Sequence, residues 1–297
     1  GAVQTLPCGK GFFIGGLAFS PDGTRIAAMK REENGDKQLW VYDLQRGTPT
    51  RLAAKLANAS SPVWLPDGSR VVFTISNGTE QDGVYVQRAN GGAEPERWHS
   101  SGNGDRVLWP MSATSDGQWI LADRWNSERN QSEVVALATR AGGELRSIIV
   151  DPGGASHSKV SPDGKWVAYE STSDQRAEVV VRALSTDGNG MIGVGTDRYP
   201  VHRGLAMAPA WAGDSKRLFF QGEKRRMYEV VMTGDASPTF SPAEFCLDKW
   251  TVRTGANEYP WHDATSDGRK FVLVQRDADE EGVTGVNVVL GWAREGK

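Results

Sequence analysis

Ser20-Pro21-Asp22-Gly23-Thr24-Arg25-Ile26 begins a pattern that the chain repeats to its end. Leu65-Pro66-Asp67-Gly68, Thr114-Ser115-Asp116-Gly117, Ser161-Pro162-Asp163-Gly164 and Thr265-Ser266-Asp267-Gly268 are close copies, and Ala212-Gly213-Asp214-Ser215 is a degraded one. The six aspartates stand 45, 49, 47, 51 and 53 residues apart. Each copy reads as a turn. Proline presets φ, the aspartate carboxylate accepts from the backbone ahead of it, and glycine takes a positive φ at no steric cost.

Short apolar runs flank every turn. In the first repeat they cover residues 17–19, 25–29 and 39–42, and after a turn at Arg46-Gly47 the segment Thr50-Arg51-Leu52 reads as the outer strand. The runs that follow the other turns, such as Val71-Val72-Phe73, Trp119-Ile120-Leu121 and Trp166-Val167-Ala168-Tyr169, are almost continuously apolar. Strands covered on both faces look like this. A unit of this length holding four short strands marks a β-propeller with one blade per repeat. The expected fold is therefore all-β: a six-bladed β-propeller of four-stranded antiparallel blades, forming a single domain over 1–297. The blades are expected at about 14–56, 60–99, 107–150, 155–196, 205–251 and 259–293. After Leu290 only residues 291–297 remain, too few for a fourth strand, whereas a spare strand-like segment occupies residues 2–6. That segment is expected to complete blade 6 and leave no open edge at the seam.

Composition narrows the function. A net charge of −3 and a pI near 5.9 speak against nucleic acid, which needs a clustered basic face. No apolar run reaches the length of a membrane span and no signal peptide is visible, so the chain is not expected to be membrane-spanning itself. Cys8 and Cys246 are too few for a disulfide framework or a zinc site. A bond between those two would need Cα atoms within about 7 Å and is not expected. A monomer is expected.

The S-P-D-G-x-x-apolar repeat resembles the TolB-like, WD40-like (PD40 repeat) propeller family over essentially the whole chain. The Gly-His and Trp-Asp signatures of the standard WD40 repeat are absent from their places. Residues 166–171 (WVAYES), 237–242 (SPTFSP) and 286–292 (VNVVLGW) resemble the propellers at the carboxyl end of bacterial transmembrane serine/threonine kinases. That resemblance implies a sensing or interaction module with a periplasmic or extracellular location. Prolyl oligopeptidase-type peptidases carry similar propellers beside a hydrolase domain with G-x-S-x-G, a motif this sequence does not contain.

Strands within a blade alternate in direction, so the Asp-Gly turns lie on one face and the segments leading into each first strand lie on the other, around the channel mouth. All four histidines, His99, His157, His202 and His262, read as falling in such segments. His157, His202 and His262 could bind a divalent metal (Ca, Mn or Zn) in the central channel, or act as acid and base. Some larger TolB-like propellers that cleave pectic sugars hold a metal with channel histidines. The plainer alternative is that each imidazole packs or hydrogen-bonds in a polar channel. Trp109 and Trp261 should line the mouth, suited to stacking on a sugar or peptide, or to packing between blades. Arg124, beside Trp125, could grip a carboxylate or phosphate, or form a surface ion pair. Asp263 could orient His262 or ligate a metal. Gly188-Asn189-Gly190-Met191-Ile192-Gly193 matches G-x-G-x-x-G but lacks the strand-to-helix setting that binds phosphate, and reads as a loose hairpin. The expected function is a sensor-type ligand-binding or protein-interaction module, with a small polar ligand, a sugar or a peptide or protein partner at the channel mouth. The alternative is a metal-dependent lyase or hydrolase built on the channel histidines.

Overall fold

The computed structural model describes residues 2–5, 12–13, 16–32, 34–101, 107–173, 176–186, 190–247, 262–265, 270–275 and 285–290. Their strands assemble into six antiparallel sheets, the blades of an all-β propeller. The chain divides into two compact units: Gly1–Ser100 with Thr251–Lys297, and Ser101–Trp250. The first unit carries blades 1, 2 and 6, and the second carries blades 3, 4 and 5.

The turns behave as their composition dictates. Gly23, Gly68, Gly117 and Gly164 adopt φ of 66°, 65°, 69° and 75°. Each donates its N–H to the carbonyl three residues back. The aspartates close the turns. Asp22 Oδ1 accepts from Ser20 Oγ at 2.5 Å and Thr24 N at 3.0 Å. Asp163 Oδ1 accepts from Ser161 Oγ at 2.6 Å and Lys165 N at 3.1 Å. Even the degraded copy complies: Ser215 stands at φ 56°, and Asp214 takes the N–H groups of Lys216 and Arg217, each at 2.9 Å. Asp267 lies outside the described residues.

These aspartates are structural. Asp67 accepts from Ser69 N at 2.9 Å and Ser69 Oγ at 2.7 Å, donors that hold its carboxyl below the usual range. Asp67→Ala should lower stability by roughly 1 kcal/mol through loss of these local bonds, measured by urea titration. The variant should stay folded and keep its ligand. A folded Asp67→Ala protein that no longer bound would make this turn part of the site.

Between the turns, the second strands are packed on both sides. Along Trp166–Ser173, Val167 and Tyr169 join a core shared with Trp119, Leu121, Val134 and Ala136 of blade 3. Trp166 and Ala168 join a separate core with Trp211, Leu218 and Phe220 of blade 5. A blade-to-blade hydrogen bond recurs at equivalent places: Trp64 Nε1 donates to Ala18 O at 3.0 Å, and Trp211 Nε1 to Lys159 O at 3.0 Å. Blade 6 is completed as expected. Ala2–Thr5 pairs antiparallel with Gly285–Leu290, with Val3 opposite Val289, giving the sheet its fourth strand. The G-x-G-x-x-G stretch ends in a strand, Ile192–Val194, that pairs back on Leu184–Thr186. It is a hairpin whose residues 187–189 lie outside the described set. Cys8 also lies outside it.

Candidate functional site

The first strands are not straight. Six residues before the turn aspartate, Gly16, Ser61, His157 and Ala208 stand at φ 61°, 51°, 54° and 48°. The strand pairing slips at three of these places, between Ser60 and Val63, Ser156 and Lys159, and Met207 and Ala210. A left-handed residue within a strand turns its N–H out of the ladder, and that donor then needs a partner. In the second unit the preceding blade supplies one. His157 N donates to Asp123 Oδ2 at 2.9 Å, and Ala208 N donates to Glu170 Oε2 at 3.3 Å. Asp123 and Glu170 occupy the same place in their blades, four residues after Trp119 and Trp166, as the acidic residue that ends an apolar run. The sequence reading missed both, and that spacing was the available signal.

These groups meet at the end of the sheets opposite the Asp-Gly turns. Asp123 pairs across the strands with Trp109, and Ser156 with Glu170. His157 Nδ1 lies 3.1 Å from Ser156 Oγ and 3.4 Å from Glu170 Oε2. Asp123 is 7% exposed, and its Oδ1 is buried with no hydrogen-bond partner among the described residues. Burial pushes the Asp123 carboxyl up to about 6; Glu170 adds to the rise, while His157 and Lys159 oppose it. Burial would raise Glu170 too, but the hydrogen bond and charge of His157 outweigh it and hold that carboxyl below its usual value. One carboxylate thus stays ionised while its neighbour exchanges a proton near neutral pH. Trp125, two residues beyond Asp123 on the same strand face, is 38% exposed.

The other candidates are placed differently. Arg124 pairs across the strands with Glu133, its Nε donating to Oε1 at 2.9 Å, so it forms the ion pair and not an open anion grip. His202 stacks its ring 5.4 Å from Phe220 and 6.5 Å from Tyr228 and lines a groove at the outer edges of blades 4 and 5. His99 does not lead into a first strand. It lies on Glu96–Ser100, the outer strand of blade 2, where its backbone pairs with Val84, because the chain is still completing blade 2 at this position. Asp263 Oδ2 accepts from Phe19 N at 2.8 Å, tying blade 6 to blade 1. His262 lies on the strand His262–Ala264, but its side chain and the whole of Trp261 lie outside the described residues. Among the described residues, no three His, Cys, Asp or Glu side chains gather to hold a metal ion. No helix among them is long and apolar enough to cross a membrane.

No family model matches the chain. An uncharacterized peptidase, YuxL, from Bacillus subtilis is 24% identical over 189 residues, 51% of this chain and 28% of the relative. The chain therefore spans about a quarter of that relative's length. Among solved structures, a putative TolB from Agrobacterium tumefaciens superposes with a TM-score of 0.63 at 13% identity, over 94% of this chain and 90% of that one. An auxiliary nutrient binding protein from Bacteroides thetaiotaomicron gives 0.59 at 10% identity, over 97% and 76%. At these identities the likeness is one of fold, that of TolB-like propellers.

Proposed function

We propose that this chain is a recognition module, a sensor-type propeller acting outside the cytoplasm. It would bind a peptide end or small polar ligand bearing an amino group where blades 3 and 4 meet. The observation that carries the reading is the buried, unpartnered Oδ1 of Asp123, on the same strand face as the exposed Trp125. A carboxylate held out of water gains most from a charged hydrogen-bond partner, which an ammonium group supplies. An indole beside it adds attraction for the same cation. Glu170, kept ionised by His157, contributes a second negative charge. The fold-level likeness to a nutrient-binding protein and to TolB agrees with a binding role. The resemblance to propellers of transmembrane kinases supports the sensing role and the location.

Calorimetric titration with short neutral peptides tests this reading. Peptides with a free amino terminus should bind about tenfold or more tightly than the same peptides acetylated, the scale of one lost charged hydrogen bond. Asp123→Asn should erase that preference. Equal binding of the free and acetylated forms would defeat the proposal.

A further inference from the structure

An open groove of about 1360 Å³ runs along the outer edges of blades 4 and 5, separate from the Asp123 region. Residues 176–178, 198–204 and 238–243 line it. Three guanidiniums stand in this lining, in a chain whose net charge is −3. Arg198 is fixed: its Nη2 lies 3.1 Å from Asp151 Oδ2, 3.1 Å from Glu178 Oε1 and 3.0 Å from Ser171 Oγ. Asp151 is itself buried and accepts from Tyr169 Oη at 2.7 Å. Arg176 and Arg203 are exposed and pair with no carboxylate among the described residues. Among the described residues the one carboxylate in the lining, Glu178, already serves Arg198.

Aromatic side chains stand among these charges. Tyr199 and Phe240 are half-buried, packing one side on the blade 4–blade 5 core and facing the groove with the rest. Prolines punctuate both sheet edges. Pro200 ends the strand Tyr199–Pro200, and Pro238 and Pro242 flank Thr239–Phe240. Prolines remove the N–H groups that a partner strand would need, so neither edge is built to be extended by another strand. Recognition here must run through side chains. The volume exceeds what a small ligand fills, roughly 300–1,000 Å³, and suits several residues of peptide.

We propose that this groove docks an acidic peptide segment of a partner protein. Its carboxylates would meet Arg176 and Arg203, and an apolar side chain between them would rest on Tyr199 and Phe240. Guanidinium forks match carboxylates two bonds at a time, and paired aromatic anchors with Arg are the usual carriers of binding energy at such surfaces.

Fluorescence anisotropy on the intact chain provides the test, with a fluorescein-labelled peptide alternating Glu and Leu and its Lys-for-Glu counterpart. The acidic peptide should bind and weaken with added salt. Arg176→Glu combined with Arg203→Glu should weaken it about tenfold or more, because opposed charges now face it. Both positions are exposed, so the fold should persist, and the basic peptide should come to prefer the charge-reversed protein. Phe240→Ala should weaken the acidic peptide independently of salt. Binding that ignores the charge reversal would overturn the proposal. So would a poly-dT oligonucleotide that competes fully and is indifferent to Phe240→Ala, since the surface would then read charge alone. Sedimentation showing a dimer that the charge reversal dissolves would also overturn it, by making the occupant a second copy of this chain.

Discussion

A chain lacking residues 1–7 should melt well below the intact protein. Ala2–Thr5 forms four backbone pairs with Gly285–Leu290, Ala2 opposite Leu290 and Thr5 opposite Asn287, and stands at the edge of its sheet. Its removal deletes a ladder and bares the strand behind it. Lost backbone bonds at roughly 1 kcal/mol each put the loss at about 4 kcal/mol. The bared strand also becomes a template for other chains, so the shortened protein should aggregate more readily on heating. Calorimetry reads the melting temperature, and a synthetic peptide of residues 1–7 added in excess should restore part of it. An unchanged melting temperature without the peptide would show that this strand pairing contributes nothing to stability.

That pairing was legible because the sequence carries a count. Six turns call for six sheets, and the last one was short by one strand while the amino terminus held a spare. The turns were legible for a more local reason. Asp22, Asp67 and Asp163 find their partners within two residues, so five consecutive letters contain the whole interaction. The second strands declared themselves through sustained apolarity, and Trp166 to Tyr169 alternates between two cores.

The site was less legible, and the reason is distance along the chain. Asp123 meets the N–H of His157 across 34 residues, and Glu170 that of Ala208 across 38. What joins them is a left-handed kink in the first strand, which spacing does not announce when the kinked residue is His or Ala in place of glycine. In the sequence His157 stands out by its imidazole, whereas the structure uses its backbone donor as well as its ring. Position in the repeat groups His202 with it. Phe220 and Tyr228, far away in sequence, stack it into the outer groove instead.

The kink also leads to the prediction with the sharpest pH signature. Asp123 titrates near 6 in the folded protein against an ordinary value of 3.8, chiefly because it is buried. Between about pH 4 and 6 the folded chain therefore holds a proton that the unfolded chain has released, and stability falls as pH rises through that window. The rise from 3.8 to about 6 corresponds to roughly 3 kcal/mol. Asp123→Asn keeps an oxygen to accept from His157 N and removes the titration. The variant should gain on the wild type by about 3 kcal/mol between pH 4 and pH 7, read from urea midpoints at each pH, with little further change above. Glu170 pulls the other way. Its carboxyl sits below the usual value, so its contribution is present above the unfolded pKa and is lost as pH falls through the folded one. Because Glu170 stays in both proteins, its titration largely cancels from the difference. A pH-independent difference between them would mean that Asp123 titrates normally. The same shift bears on binding: an ammonium ligand would pair with the ionised Asp123 and displace its proton. Affinity for free-amine peptides should therefore rise as pH passes 6, while affinity for acetylated ones should stay level.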